Sequence, residues 1–559
     1  MITLYKCTIR EKDVSGLFYL RGNCDSAREC CLYYCFRKYI RGNIMQNVYF
    51  VTNQIAKYNE TKEALDKLQE NVGDDKKWNL LHIKQNISEV QTDNVDELVE
   101  KKALEAFKKF KRMVLVEQTS LQIEALGGLP GLQSAYFLSN CRNGSMEEVL
   151  RDTVNFCAMK NDFNAKVETN FCLCDGKKFF KGKGTIEGRI VEKYPEKKSD
   201  SQQGFGWDCI FIPGGNEETY AENFNYKLQN SMRKSALADL LKSIEGEELF
   251  IQHFNDNDTN QVMEELAELI TEKRVILFIG SGISASVGLP PWRELMGGLG
   301  ENLDFDQDIF RSYGDSLMLA EYIMTREGDE AKEKLQELFD ITNDKNREAY
   351  EKLMDEDTAG KLYKMLSELE APVIYTTNFD NLLEVYSSQI MQRECCVCKS
   401  IGDIQKDEEK KLRIMKFHGD ISQINDGKDG IVFSESQYYK RMQFDSFMDI
   451  QLQADLQKYH ILFLGYSLSD VNVKLLMYMV RNRWENEKNK LKTYIFTATP
   501  NIIQKEVFSK HGIISISNDE TDKFQSTLKF IETLRNLVVK DKEDKNFPAS
   551  STSPANKSR

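Results

Sequence analysis

The stretch Arg274-Val-Ile-Leu-Phe-Ile-Gly280-Ser281-Gly282-Ile283-Ser284, with Gly288-Leu-Pro290-Pro-Trp292-Arg293 close behind it, decides how the second half of the chain folds. Val275 to Ile279 is an unbroken apolar run, rich in β-branched residues and closed by glycine. Such a run predicts a strand buried on both faces of a parallel sheet. Small residues after a strand let backbone N–H groups approach an anion at the start of a helix, as dinucleotide-binding turns do. Glycine-rich turns are common, so this one gains its weight from the strand ends downstream of it.

Three further apolar runs end in polar groups: Ala371-Pro-Val-Ile-Tyr-Thr-Thr377-Asn378-Phe-Asp380, Leu412-Arg-Ile-Met-Lys-Phe-His418-Gly419, and His460-Ile-Leu-Phe-Leu-Gly465-Tyr-Ser467-Leu-Ser-Asp470. Ligands of open parallel sheets sit outside the carboxyl ends of strands, so the four ends are expected to meet at one crevice. The expected fold class of this half is α/β, a Rossmann-like parallel sheet. The charged span from about 294 to 370, with Leu317, Leu319, Tyr322 and Ile323 in helical periodicity, is expected to form a helical insertion.

In this order, GSGIS with GLPPWR, TTNFD, KFHG and GYSLSD resemble the sirtuin family, specifically its bacterial branch that breaks down NAD, over roughly residues 262–535. The resemblance implies NAD as substrate. Gly280, Ser281, Gly282 and Ser284 would cradle its pyrophosphate, with Pro290, Trp292, Arg293, Thr377 and Gly465 also at the NAD pocket. Asn378 and Asp380 would orient water and the ribose or nicotinamide amide, and Ser467 and Asp470 would hold the adenosine half. Cleaving the glycosidic bond leaves positive charge on the ribose, and His418, as a base titrating near neutrality, suits that chemistry. His460 precedes its strand and is read as structural or exposed. A sirtuin deacylase carries a two-pair zinc ribbon; Cys395, Cys396 and Cys398 lie where its first half would be and no second pair follows. No zinc is expected, and NAD-dependent protein deacylation stands only as an alternative.

The first half carries its own series: Val48-Tyr-Phe-Val-Thr52-Asn-Gln54-Ile-Ala-Lys57-Tyr-Asn-Glu60, Val114-Leu-Val-Glu117-Gln118-Thr119, Leu126-Gly-Gly-Leu-Pro-Gly131, Gly204-Phe205-Gly-Trp207-Asp208, Lys227 and Ser231-Met232-Arg233. Glycine turns beside Lys and Arg suit a triphosphate, and paired aromatics with an Asp suit a base. The series resembles the inosine triphosphate pyrophosphatase family over about residues 46–243, which implies a mixed α/β domain. It also implies that Lys57, Lys227 and Arg233 hold phosphates, that Phe205, Trp207 and Asp208 read a deaminated purine, that Thr52 and Ser231 also bind the nucleotide, and that Glu89 and Glu117 ligate Mg2+. Three positions depart from the family: its catalytic Glu-Asp pair is Glu117-Gln118, its first-motif Asn is Gln54, and its last-motif His is Met232. An amide is no general base near neutral pH, so binding with little or no turnover is expected.

With 559 residues, two domains plus tails are expected: an extension over 1–45, a nucleotide domain over 46–243, a linker over 244–261, a sirtuin-like domain over 262–540 and a disordered tail over 541–559. A net charge of −13 argues against general nucleic-acid or anionic-membrane binding. No membrane span or signal peptide is read, so the cytoplasm is expected. Thirteen scattered cysteines suggest reduced thiols, and Cys24, Cys30, Cys31 and Cys35 lack the paired spacing of a metal site.

Together the halves resemble the sensor and effector of a bacterial antiphage system in which an inosine nucleotide triggers NAD depletion. The expected function is an NADase gated by dITP or ITP, in a homo-oligomer of two or more chains. A working pyrophosphatase with an accessory domain, and a non-catalytic nucleotide-binding scaffold, are the competing readings.

Overall fold

The computed structural model describes residues 46–546 apart from 74–76, 140–144, 196–203, 248, 251–256, 343, 406–410, 427–429, 469 and 484–490. The expected extension over 1–45 and the end of the chain from 547 lie outside the described residues. The chain divides into two compact units, the first mainly the described residues up to Leu249 and the second mainly those from Phe250 onward. Among the described residues, no helix is long and apolar enough to cross a membrane.

The first unit is the expected mixed α/β domain. Its strands are β1 (Gln46–Val51), β2 (Trp78–Ile83), β3 (Val114–Ile123), β4 (Pro130–Gly131), β5 (Asn164–Cys174), β6 (Phe179–Ile190) and β7 (Phe211–Pro213). They form one sheet in the order β2-β1-β3-β5-β6-β7, with β4 paired to β3. β1 lies parallel to β2 and β3, and the long β5 runs antiparallel to its neighbours β3 and β6. The helix Met232–Ser243 packs on β6 at close range: a Cβ on Gly184 would stand 2.1 Å from the Met232 carbonyl oxygen, and one on Gly182 would stand 2.3 Å from that of Ala236. Glycine at these two positions lets the helix bring Arg233 down to the sheet. Val48, Phe50, Leu115, Phe171, Leu173, Leu237 and Leu240 fill the core between them.

The second unit is built on β8 (Val275–Ile279), β9 (Val373–Thr376), β10 (Cys395–Cys398), β11 (Leu412–Lys416), β12 (His460–Leu464), β13 (Thr493–Phe496) and β14 (Ile513–Ile516). All are parallel, in the order β10-β11-β9-β8-β12-β13-β14. The apolar run read as doubly buried is so: Val275, Leu277 and Ile279 face one core, and Ile276 and Phe278 face the other. From β8 the chain builds first toward β9 and later, at β12, toward the opposite side, so the direction switches between β8 and β12, where ligands of such sheets bind. The span read as an insertion forms helices at Gln307–Ser312, Ser316–Glu327, Asp329–Phe339, Arg347–Met354 and Ala359–Glu368.

Two ends differ from the expectation. The helix leading into β8 starts at Asn257, inside the span read as a linker. The closing helix Lys523–Asn546 continues past residue 541, where a disordered tail was expected. Val538 is still buried at its far side and Lys545 pairs with Asp541 one turn back, which carries the helix through a polar stretch.

Candidate functional site

Strand register sets the height of each predicted side chain in the second unit. Lys416 pairs with Thr376, Thr376 with Ile279, and Ile279 with Leu464. His418, Asn378, Ser281 and Tyr466 therefore each follow the paired position by two residues, and the four strand ends open at one level.

At the centre is Ser284. Its hydroxyl donates to Asp380 Oδ2 at 2.7 Å, accepts from Asn378 Nδ2 at 2.8 Å, and also contacts the buried Tyr363 hydroxyl. Ser284, Asn378 and Asp380 are buried, so Ser284 joins the β8 end to the β9 end and is not an open phosphate ligand. Burial raises the Asp380 carboxyl above its usual range, against the pull of Lys416. The fully buried Lys416 ammonium binds the Asp380 main-chain oxygen and pairs with Glu384 at 3.1 Å and Asp420 at 3.4 Å, tying the two loops that carry Asn378 and His418. Asp380, expected to orient water and the ribose or nicotinamide amide, is thus held by Ser284 and Lys416.

The glycine turn also differs from the cradle expected. Gly280 N–H donates to the Leu464 carbonyl and Gly282 N–H to the Gly465 carbonyl, both at 2.9 Å, so neither is directed at a ligand. Gly280, Gly282 and Gly465 are required by the close approach of two loops: a Cβ on Gly282 would stand 2.8 Å from Gly465 O and 2.9 Å from its Cα. Replacing Gly282 with Ala is expected to destabilise the second unit by about 1–3 kcal/mol through overpacking. Calorimetry would show a lowered melting midpoint; an unchanged midpoint would remove close approach as the reason for this glycine.

Other predicted residues fall around the same level. Trp292 packs its ring 5.0 Å from Phe433 and 6.3 Å from Phe379. Pro290 and Thr377 are half-buried, and Ser281, Arg293 and Ser467 are exposed.

His418 is buried, and burial pulls its imidazole down to about 4, outweighing the nearby Asp470 carboxylate. The expected titration near neutrality is therefore corrected: at pH 7 the ring is neutral. Asp470 Oδ2 lies 3.2 Å from His418 Nε2 and accepts from the Tyr438 hydroxyl at 3.1 Å, so the residue expected at the adenosine half stands beside His418. Tyr438, on the helix Glu435–Arg441, was missed, because nothing in its sequence neighbourhood points to the crevice. His460 is buried and accepts the Lys492 N–H on Nδ1 at 2.9 Å, a structural role.

In the first unit the predicted charges come together in one buried network. Arg233 reaches Glu117 at 2.8 Å and Glu60 at 2.9 Å. Lys227 reaches Asp208 at 2.7 Å and Glu60 at 3.1 Å, and Lys57 reaches Glu117 at 2.6 Å. The Phe205 ring lies 4.5 Å from Lys227 Nζ and 5.2 Å from the Arg233 guanidinium. Lys227 and Arg233 therefore lie beside Phe205 as well as among these carboxylates. Burial works against ionising Glu117, yet Arg233 and Lys57 hold its carboxyl far below the usual range. Burial raises Asp208 despite Lys227, and lowers Lys57 despite Glu117. Ser231 caps the helix Met232–Ser243 through Lys234 N, Thr52 Oγ1 accepts from Gln54 N, and Trp207 is half-buried against a second core.

Glu60 and Lys102 were missed. Glu60 was legible, since it shares a helix face with Lys57 three residues earlier. Lys102 sits on a charged helix and reads like its solvated neighbours, but its ammonium lies 2.6 Å from Glu89, 3.1 Å from the Glu117 carbonyl and 3.4 Å from Gln118 Oε1. The magnesium assignment to Glu89 and Glu117 does not fit this donor set. Glu89 is held by Lys102, Glu117 by Lys57 and Arg233, and Gln118 donates to the Leu132 carbonyl. An octahedral ion needs several free oxygens, and here ammonium groups occupy the carboxylates.

Comparison with known proteins gives the same division. Residues 48–243 match the Ham1 family and residues 372–516 match the SIR2-like domain. A dITP/XTP pyrophosphatase of Methanopyrus kandleri is 31% identical over 191 residues, covering 34% of this chain and 92% of that protein. Inosine triphosphate pyrophosphatase 2 of Trypanosoma cruzi is 34% identical over 191 residues, covering 33% of this chain and 84% of that protein. The NAD(+) hydrolase ThsA of Cytobacillus dafuensis is 23% identical over 238 residues, covering 40% of this chain and 41% of that protein. The chain thus spans less than half the length of that relative. The solved Ham1 protein of Staphylococcus aureus aligns over its full length with 36% of this chain, at 23% identity and a TM-score of 0.29.

Proposed function

Because the chain belongs to the Ham1 family through its first unit and carries a SIR2-like domain in its second, we propose that it is an NAD hydrolase gated by a deaminated purine nucleoside triphosphate. The observation that carries the reading is the level set of strand ends holding Ser284, Asn378 and His418 beside the switch between β8 and β12. The reaction consumes water: the ribose C1′–N bond breaks, its electron pair leaves with neutral nicotinamide, and the water oxygen bonds to C1′. His418, neutral at pH 7, takes the proton and returns it to solvent. Asn378 orients the reacting groups, held by Ser284. Similarity to an enzyme named as an NAD(+) hydrolase supports this reading.

The first unit would act as the sensor. Gln118 stands where its family places a carboxylate, so the nucleotide is held without being cut. Lys57, Lys227 and Arg233 are joined with Phe205 and Asp208 in one buried network, with Lys102 beside it at the Glu117 carbonyl, and on this reading the nucleotide displaces some of these ion pairs when it binds. Gating requires the nucleotide to bind the active state more tightly than the resting one. A homo-oligomer is part of the proposal, since an assembly would let one signal switch several sites.

Purified protein incubated with NAD, with and without dITP, ITP or dATP, decides it. Nicotinamide and ADP-ribose are expected only with the inosine nucleotides, which remain triphosphates. Intact NAD with rapid release of inosine monophosphate would overturn the reading and make the first unit the enzyme.

A further inference from the structure

Asp470 is more constrained than a ligand waiting for a substrate would be. Its Oδ1 accepts from Val473 N at 3.1 Å, capping the helix Val471–Arg483. Its Oδ2 is shared between the Tyr438 hydroxyl at 3.1 Å and the neighbourhood of His418 Nε2 at 3.2 Å. The same hydroxyl lies 3.3 Å from His418 Nδ1, and the two rings meet nearly edge-on, 5.1 Å apart at 75°. A phenol has one proton to give. A carboxylate accepts it more strongly than a neutral imidazole, so Tyr438 donates to Asp470 and its oxygen receives the Nδ1–H. That leaves Nε2 as the ring's lone pair: it is buried, and Asp470 Oδ2, although 3.2 Å away, is not aligned to accept a hydrogen bond from it.

We propose that Asp470 is a positioning residue for His418: through Tyr438 it fixes the Nδ1–H tautomer, presents Nε2 as the proton acceptor, and faces the imidazolium once the proton has moved. This rests on the NAD-hydrolase reading of the crevice. The step balances: water gives a proton to Nε2 as its oxygen bonds to C1′, nicotinamide leaves with the C1′–N electron pair, and the proton passes to solvent. The charged groups that act on the ring are Asp470 from the loop after β12, Arg441 from the helix Glu435–Arg441 and Asp449 from the helix Phe447–Asp455. Arg441 is engaged by Asp449 at 2.7 Å and by the Phe417 carbonyl at 2.9 Å, which leaves Asp470 as the carboxylate standing 3.2 Å from Nε2.

The test is Asp470→Asn in the full chain. Asn keeps the helix cap and removes the charge. The expected result is a kcat for nicotinamide release lowered about 10–100-fold, with KM for NAD held within about twofold. A raised KM with kcat unchanged would make Asp470 an adenosine ligand and overturn the proposal. A second measurement does not depend on turnover: 15N NMR of the histidines, with His418 assigned by its loss in His418→Gln. The neutral ring in the wild type is expected as the Nδ1–H tautomer, with its titration moved to lower pH in Asp470→Asn. An Nε2–H tautomer in the wild type would overturn the proposal even if the variant failed to fold. If the wild type releases no nicotinamide under any nucleotide condition, the hydrolase reading falls, and the tautomer still decides how Asp470 acts on His418.

Discussion

Replacing His418 with alanine is expected to lower nicotinamide release by about two to four decades, the usual worth of a general base. Among the described residues His418 is the imidazole at the crevice, since His460 sits at the opposite end of β12 with its Nδ1 taken by Lys492 N–H. No carboxylate can replace it cheaply: Asp380 is engaged by Ser284 and Asp470 by Tyr438. The ring is neutral in the fold, so its removal leaves no buried charge. An unchanged melting midpoint by calorimetry would show that the second unit is still folded. Nicotinamide release that survived the substitution at more than about a tenth of the wild-type rate would remove His418 from the chemistry.

How far the sequence led depends on what kind of information each element carried. The four parallel strands around the crevice were legible because each is a contiguous apolar run closed by small or polar residues, and β8 presents both of its faces to cores. The edge strand Cys395–Cys398 was read only as the place of a missing zinc ribbon, because four residues with three cysteines have no strand periodicity to read. The site was legible as a set of residues and less so as a set of roles. Gly280 and Gly282 were assigned to a phosphate, but their N–H groups are used by the Leu464 and Gly465 carbonyls. A backbone partner from a distant strand leaves no mark in local sequence. Asp470 was assigned by motif position to the adenosine, while its neighbour Tyr438 comes from a helix carrying no motif. Burial, which pulls His418 to about 4, is likewise a property of the packed fold and not of the His-Gly motif.

Substituting Arg233 with methionine is expected to cost the first unit about 3–5 kcal/mol at pH 7, the effect of breaking a buried ion pair from one side. Arg233 is 1% exposed and its guanidinium serves both Glu60 and Glu117, themselves buried at 3% exposure each. Methionine fills much of the volume and leaves the carboxylates short of a cation, although Lys57 still holds Glu117 and Lys227 still holds Glu60. The pH dependence distinguishes this cause from simple misfit. In the wild type the cations outweigh burial and depress both carboxyls, so their stabilisation is complete above the unfolded glutamate value of about 4.3 and is lost as pH falls through the folded values. Without Arg233 the folded values rise and that acid loss shrinks or reverses. Urea denaturation at pH 7 and pH 4 should therefore show a wide gap between wild type and variant at pH 7 that narrows at pH 4. A gap of equal size at both would mean that packing around the side chain, and not its charge, holds this unit together.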